Sequence, residues 1–349
     1  MIEPVPTSLE PPSTVVPGTP GSGPPSPPSG HPRAVAGLDD RVFRGFVRTG
    51  GVMVLVITGA VGLFLFLRAA TALRSAGFKF LTTQAWQPDA HHFGIESVLG
   101  YTVLIALVAI TISTPLAIGT ALFISEVVPA RLRWLPIAVI DLMAAVPSVV
   151  FGLWGLFYLQ GHLIGLARWL ATWLAWLPIL KVTGADPRDP LGTSTIYTAS
   201  TFIAGVVVGL MVAPIQCSVI REVFSQAPLG EREGAFALGG TRWGMVRTVV
   251  LPFGRGGIIG GTMLALGRAL GETIAVYLII SPDFRLKIHI LQSGAISVSS
   301  LIAIRYSEAS GFGLSALFAA GLSLFVMTLL VNFAASTIVA RSRSGAVTD

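Results

Sequence analysis

The sequence predicts an all-α integral membrane protein with six transmembrane helices. Of its 349 residues, 53% are hydrophobic and 11% are charged, against roughly 25% charged in an ordinary soluble domain. Six stretches supply the ~20 mainly apolar residues needed to cross ~30 Å of hydrocarbon. They fall at residues 49–67, 98–125, 135–160, 196–220, 257–280 and 313–340. Four segments follow from this: a tail over 1–44, the first helix with its outer loop over 45–97, a transmembrane core over 98–340 containing a polar loop at 221–255, and a C-terminal tail over 341–349.

Eleven of the 23 prolines lie before Ala34, interleaved with Ser, Gly and Thr. Such a segment buries too little apolar surface to offset its ordering entropy, so the tail is expected to be disordered and polyproline-like. It lacks the basic start and apolar core of a secretory signal. It reads either as a solvated appendage or as a docking segment.

Basic residues orient the bundle. With the N-terminus inside, 13 of the 23 Lys and Arg fall on the cytoplasmic side, including Arg131, Arg133, Arg341 and Arg343, which places both termini in the cytoplasm. The three lysines, Lys79, Lys181 and Lys287, run against this bias, in longer outer loops where it is weak.

Within the spans, Pro115, Pro147 and Pro214 each remove a backbone donor and are expected to kink their helices. Ser113, Thr114 and Ser148 beside them offer hydroxyls to the freed carbonyls. Glu126 and Asp141 fall near span ends, where water reaches them. After the third span, Trp169, Trp173 and Trp176 share one helical face in a stretch too short to cross; this piece is expected to lie flat at the outer interface. Cys217, the single cysteine, reads as a small buried packing residue.

In the fifth span, Gly256 with Gly260, Gly257 with Gly261 and Gly267 with Gly271 form small-xxx-small pairs, which predict a central helix approached closely by others. Arg268 and Glu272 stand four residues apart on that helix. Charges there are retained mainly where they pair or line a polar path, so they read either as a structural ion pair or as a substrate gate for an oxyanion. The polar loop carries Pro228, then Glu231, Arg232 and Glu233 in the first turn of a helix, where the macrodipole favours acids. Ala235, Phe236, Leu238 and Trp243 supply apolar anchors, and Gly239-Gly240 permits a turn back toward Leu251-Pro252. This projection suits either a partner's groove or the membrane surface.

No lysine is followed by Ser or Thr, so the chain carries no P-loop. Its histidines and cysteine lack metal-site spacing, and its spans hold no nucleophile–base pair. Neither inverted repeats nor a ring of pore-lining charges marks a secondary transporter or channel.

The pattern Glu233-Gly234-Ala235, then Gly239, then Val249 and Leu251-Pro252 resembles the EAA loop of binding-protein-dependent ABC importer permeases, with Gly234 where that family usually has Ala. The runs 145–156 (AVPSVVFGLWGL) and 266–276 (LGRALGETIAV) resemble the PstC-type subunit of phosphate importers, over nearly all of 98–340; the first run separates it from the sister PstA type. The resemblance implies the type I ABC importer permease fold. It implies a multi-pass cell-membrane subunit that binds no cofactor itself and is not an enzyme. Its partners would be a PstA-like permease, two ATPase subunits holding ATP and Mg, and an extracytoplasmic phosphate-binding protein, with no nucleic acid involved. It implies a coupling helix from Glu231 to Trp243, touching the ATPase through Glu233 and Gly239, with Ala235, Leu251 and Pro252 in the same motif. It associates Arg268 and Glu272 with the phosphate path. Importers of other oxyanions, sulfate or molybdate, are the nearest alternative.

Overall fold

The computed structural model describes residues 38–184, 186–189, 194–309 and 311–343. The expectation for the proline-rich stretch before residue 38, and for the C-terminal tail from 344 on, lies outside them. The chain divides into two units, residues 1–56 and 57–349.

Helix α1 is Leu38–Ala76. No proline interrupts residues 33–76, so nothing stops the helix before Gly77, whose φ of +55° ends it. Residues 38–44, assigned from sequence to the tail, are therefore helical, and the first span is Val42–Ala76. In the first unit, this helix shows a Thr49 hydroxyl bonded back to Gly45 O at 2.9 Å.

The second unit continues through α2 (Lys79–Thr82) and a hairpin of two-residue strands, β1 (Trp86–Gln87) and β2 (His92–Phe93), paired antiparallel. Helix α3 (Glu96–Leu122) runs into a π-helical turn, Phe123–Val127. Then come α4 (Trp134–Ala145), α5 (Ser148–Trp154), a second π-helical turn at Gly155–Leu159 and α6 (Gln160–Trp173). Helix α7 is Thr201–Ser225, α8 Leu229–Ala237 and α9 Arg242–Met245. A third π-helical turn, Val246–Val250, leads into α10 (Leu251–Gly271), followed by α11 (Ile274–Ile279), α12 (Val298–Arg305) and α13 (Gly311–Arg343). Six helical stretches are long and apolar enough to span: Val42–Ala76, Glu96–Val127, Ser148–Trp173, Thr201–Ser225, Arg242–Gly271 and Gly311–Ala334.

The number of spans matches the sequence reading, but the third is displaced. Pro147 does not kink a span; it separates two helices. Its ring pushes the preceding residue out of helical conformation, and Val146 is extended at φ −65°, ψ 129°. Helix α4, at 12 residues, reaches only about 18 Å and cannot cross. The span starts at Ser148 instead and carries Trp169 and Trp173 on its last turns, so the tryptophan stretch is not a separate surface helix. Pro115 and Pro214, by contrast, lie inside continuous helices.

The most buried span is the fourth, with 78% of its apolar window inside the fold against 28% for the fifth, which the glycine pairs had pointed to as central. Helix α7 packs between α3 and α10. On the α3 side, a Cβ at Gly209 would stand 2.8 Å from Ala109 O; on the α10 side, Cβ atoms at Gly254 and Gly257 would fall 2.2 Å from the Phe224 ring and 2.6 Å from Val223. Gly256, Gly260 and Gly271 meet nothing within 4 Å, so one stripe of the glycine pattern, not all of it, makes the close approach. Near the start of α13, the Ser315 hydroxyl donates to Arg68 O at 2.7 Å and accepts from Ala72 N at 3.2 Å, inserting into the ladder of α1.

Candidate functional site

The polar loop folds as a projection of two short helices. Helix α8 ends in a Schellman turn: Gly240 N donates to Ala235 O at 3.0 Å and Gly239 N to Phe236 O at 2.9 Å. Gly239 holds φ +81°, the left-handed conformation this turn requires. A Cβ at Gly240 would sit 2.5 Å from Ala235 O, which explains the glycine pair. Thr241 then caps α9, its hydroxyl accepting from Gly244 N at 3.1 Å. The projection is thus two helices, and Trp243 lies on the second rather than at the end of one helix from Glu231.

No residue of α8 is buried. Leu229, Phe236, Leu238 and Trp243 are exposed, Leu238 by 92%; Glu231, Glu233 and Gly239 are exposed with them, and Ala235 is half-buried against the core beneath. A cluster of apolar side chains on a rigid turn is a docking surface in form. The return to the span passes through the π-helical turn, where Leu251 N reaches Val246 O, five residues back. Pro252 has no N–H and its ring would strike the carbonyl of residue 248 in a regular helix. A wider turn just before Leu251-Pro252 relieves that conflict; the same turn at Phe123–Val127, with Val128 N on Phe123 O at 3.0 Å, precedes Pro129.

Beneath the projection, Glu126 is not solvated as its place near a span end suggested. Its side chain is 11% exposed, and Arg232 Nη1 lies 3.1 Å from its Oε1. The same guanidinium donates through Nη2 to Phe224 O at 2.6 Å. Asp141 is exposed.

The fifth span breaks where the sequence placed its two charges. Helix α10 stops at Gly271, and Glu272 is extended at φ −66°, ψ 127°. Arg268 and Glu272 therefore do not share a helical face: among the described residues no ion pair joins them, Arg268 is exposed, and Glu272 is 9% exposed. Glu272 Oε1 accepts from Ala275 N at 3.2 Å, capping α11. The carboxylate that was expected to hold the guanidinium instead holds the restart of the helix, leaving Arg268's donors open on the surface of the bundle.

Deeper in, Gln216 is fully buried and joins three spans. Its Oε1 accepts from Ser113 Oγ at 2.8 Å; its Nε2 donates to Thr114 Oγ1 and to Thr262 Oγ1, each at 2.9 Å. Ser113 and Thr114 thus serve Gln216, not the carbonyl freed by Pro115. A Gln two residues after a mid-span proline was the available signal for this node. At the far end of α3, the segment between α11 and α12 is pinned by Tyr101, whose hydroxyl donates to Arg285 O at 2.8 Å and accepts from Lys287 N at 3.1 Å. Lys287 Nζ stands 2.6 Å from Asp283 Oδ2, and Arg285 N donates to Asp283 Oδ1 at 2.9 Å. Burial pushes the Asp283 carboxyl up, but these two hydrogen bonds and the charges of Lys287 and Arg285 outweigh it and hold the group below its ordinary value.

A projecting, glycine-closed helical turn on a six-span bundle is matched by sequence: residues 113–344 fit the model of the binding-protein-dependent transport system inner membrane components. The chain belongs to that family. Members of the family resemble it along most of its length. Phosphate transport system permease protein PstC 2 of Mycobacterium bovis is 37% identical over 310 residues, covering 88% of this chain and 93% of that protein. PstC of Mesorhizobium japonicum is 36% identical over 313 residues, with the same two coverages. PstC of Mycobacterium leprae is 40% identical over 303 residues, covering 86% and 92%. Within the family this permease is therefore of the PstC type, a multi-pass membrane transport component rather than an enzyme. A permease chain of a bacterial alginate ABC transporter, solved in complex with an alginate pentasaccharide-bound periplasmic protein, shares the fold at TM-score 0.56 and 16% identity, over 87% of this chain and 97% of that one.

Proposed function

We propose that this permease forms, with a PstA-like sister chain, the translocation path of an ATP-driven phosphate importer. The observation that carries the reading is the similarity to phosphate transport permeases over 88% of the chain. Two ATPase subunits dock on the cytoplasmic α8–α9 projection through Leu238, Phe236 and Trp243, with Glu231, Glu233 and Gly239 at the contact. They hold the ATP and Mg; this chain holds neither. An extracytoplasmic phosphate-binding protein delivers the substrate on the other side, and both termini lie in the cytoplasm. Nucleotide binding draws the projections together and switches the membrane pair between inward-open and outward-open states; hydrolysis resets it.

Arg268 is the group in this chain best suited to the anion. Its planar fork of donors matches two phosphate oxygens, and Glu272 leaves that fork free because its carboxylate caps α11. Uptake of labelled phosphate, with sulfate as the control, tests the reading in phosphate-starved cells lacking this chain. Wild type is expected to restore phosphate uptake, and Arg268→Ala at matched membrane abundance is expected not to. Restoration of sulfate uptake instead would overturn the substrate.

A further inference from the structure

The Arg232 guanidinium joins three elements that are remote in sequence. It sits on α8, pairs with Glu126 in the π-helical turn that ends the second span, 106 residues away, and donates to the carbonyl of Phe224 at the end of α7. Both charged side chains are largely withdrawn from water, at 17% and 11% exposure, where an ion pair is screened little and resists separation. Arg133 stiffens the same turn from the other side, through Nη2 to Ser125 O at 2.7 Å and Nε to Val128 O at 3.1 Å.

Helix α8 is otherwise lightly held. None of its residues is buried, and Ala235 is its inward-leaning apolar contact. Glu233 and Arg242, which line the cavity of about 270 Å³ beside the pair, are both exposed. A force on α8 therefore enters the bundle through Arg232. From there it reaches the second span by way of Glu126. It reaches the fifth by way of Phe224, whose buried ring lies where a Cβ of Gly254 would be. Gly254 is on α10, the helix that carries Arg268.

We propose that the Arg232–Glu126 pair is the strut that transmits movement of α8 into the second and fourth spans, making Arg232 a positioning residue for energy coupling. This rests on the reading of α8–α9 as the ATPase contact.

The test uses the assembled importer in proteoliposomes, reading ATP hydrolysis and phosphate uptake together. Arg232→Glu and Glu126→Arg are each expected to cut uptake by about tenfold or more, and the double variant Glu126→Arg/Arg232→Glu to recover most of it, as expected when two charges act as a pair. Arg232→Lys keeps the charge but loses the fork that reaches the Phe224 carbonyl; it is expected to assemble, hydrolyse ATP at a near wild-type rate and move less phosphate per ATP. Wild-type uptake in the single reversals overturns the strut. So does a double variant no better than either single when all assemble, or an unchanged phosphate-to-ATP ratio in Arg232→Lys. If the wild-type complex moves no phosphate, the substrate reading has failed instead. The strut is then judged by labelling a cysteine placed at Val103 of the second span with an impermeant maleimide. ATP is expected to change that rate in wild type and not in Arg232→Gln, and an equal change in both overturns the strut.

Discussion

Gln216 accepts a hydrogen bond from Ser113 at 2.8 Å with no exposure to the surroundings, and its amide nitrogen carries the connection on to Thr262. One side chain thus ties the second, fourth and fifth spans at a depth where no water competes. Gln216→Leu keeps the volume and removes every bond of the node. It is expected to cost about 1–2 kcal/mol, the upper range for interhelical hydrogen bonds in membrane proteins. Thermal melting of the detergent-solubilised chain measures this, and an unchanged midpoint would show the node to be dispensable.

The glycines of α10 divide into two groups by what stands opposite them. Gly257 is pressed against Val223, with Cβ room only to 2.6 Å, while Gly260 faces open space. Gly257→Val is expected to destabilise by about 1–3 kcal/mol through overpacking. Gly260→Ala is expected to be neutral or to stabilise by up to about 1 kcal/mol through helix propensity. Equal effects at the two positions, read by the same melting assay, would contradict the packing described between α7 and α10.

Gly234 sits within α8, is exposed, and has nothing within 4 Å of where a Cβ would stand. The departure from the usual Ala of the EAA pattern therefore has no steric reason. Gly234→Ala is expected to stabilise α8 by about 0.5–1 kcal/mol and to leave phosphate uptake intact. Loss of uptake in this variant would mean that the partner, not the fold, selects glycine here.

Asp283 supplies a pH dependence. Its folded value is depressed below 3.8 by Lys287 and Arg285 against the upward pull of burial, so the ionised form is favoured by folding. The stabilisation is fully present well above pH 3.8 and is lost as pH falls through the lower folded value. The pair with Lys287 is partly exposed, 26% and 38%, so its worth is about 0–1 kcal/mol. Asp283→Asn is expected to lower the melting midpoint slightly at pH 7 and to match wild type below about pH 3. A gap between the two that widens on acidification would refute the assignment.

Much of this was legible beforehand. Composition and span length gave the six helices, because hydrocarbon thickness admits few alternatives, and the Gly239-Gly240 turn could be placed because only glycine suits such a closure. What escaped the sequence depended on partners far along the chain. Pro147 broke a helix that hydrophobicity alone ran through, which shifted the third span by thirteen residues at its start. Arg268 and Glu272 looked like neighbours on one face until the helix was seen to end at Gly271. Glu126 looked wet because the residue that covers it, Arg232, comes 106 positions later.

The three π-helical turns, at Phe123–Val127, Gly155–Leu159 and Val246–Val250, each hold one residue more than an α-helix of the same path would. Each is a stored single-residue insertion, and its removal would shift the following helix by only about 1.5 Å along its axis while rotating it by about 100°. Deleting one residue between 246 and 250 would turn the Arg268 face away from where it now looks and set Pro252 against a carbonyl once more. In this permease, length within a span is an angular quantity, and homologues that gain or lose a residue there must re-aim every side chain downstream.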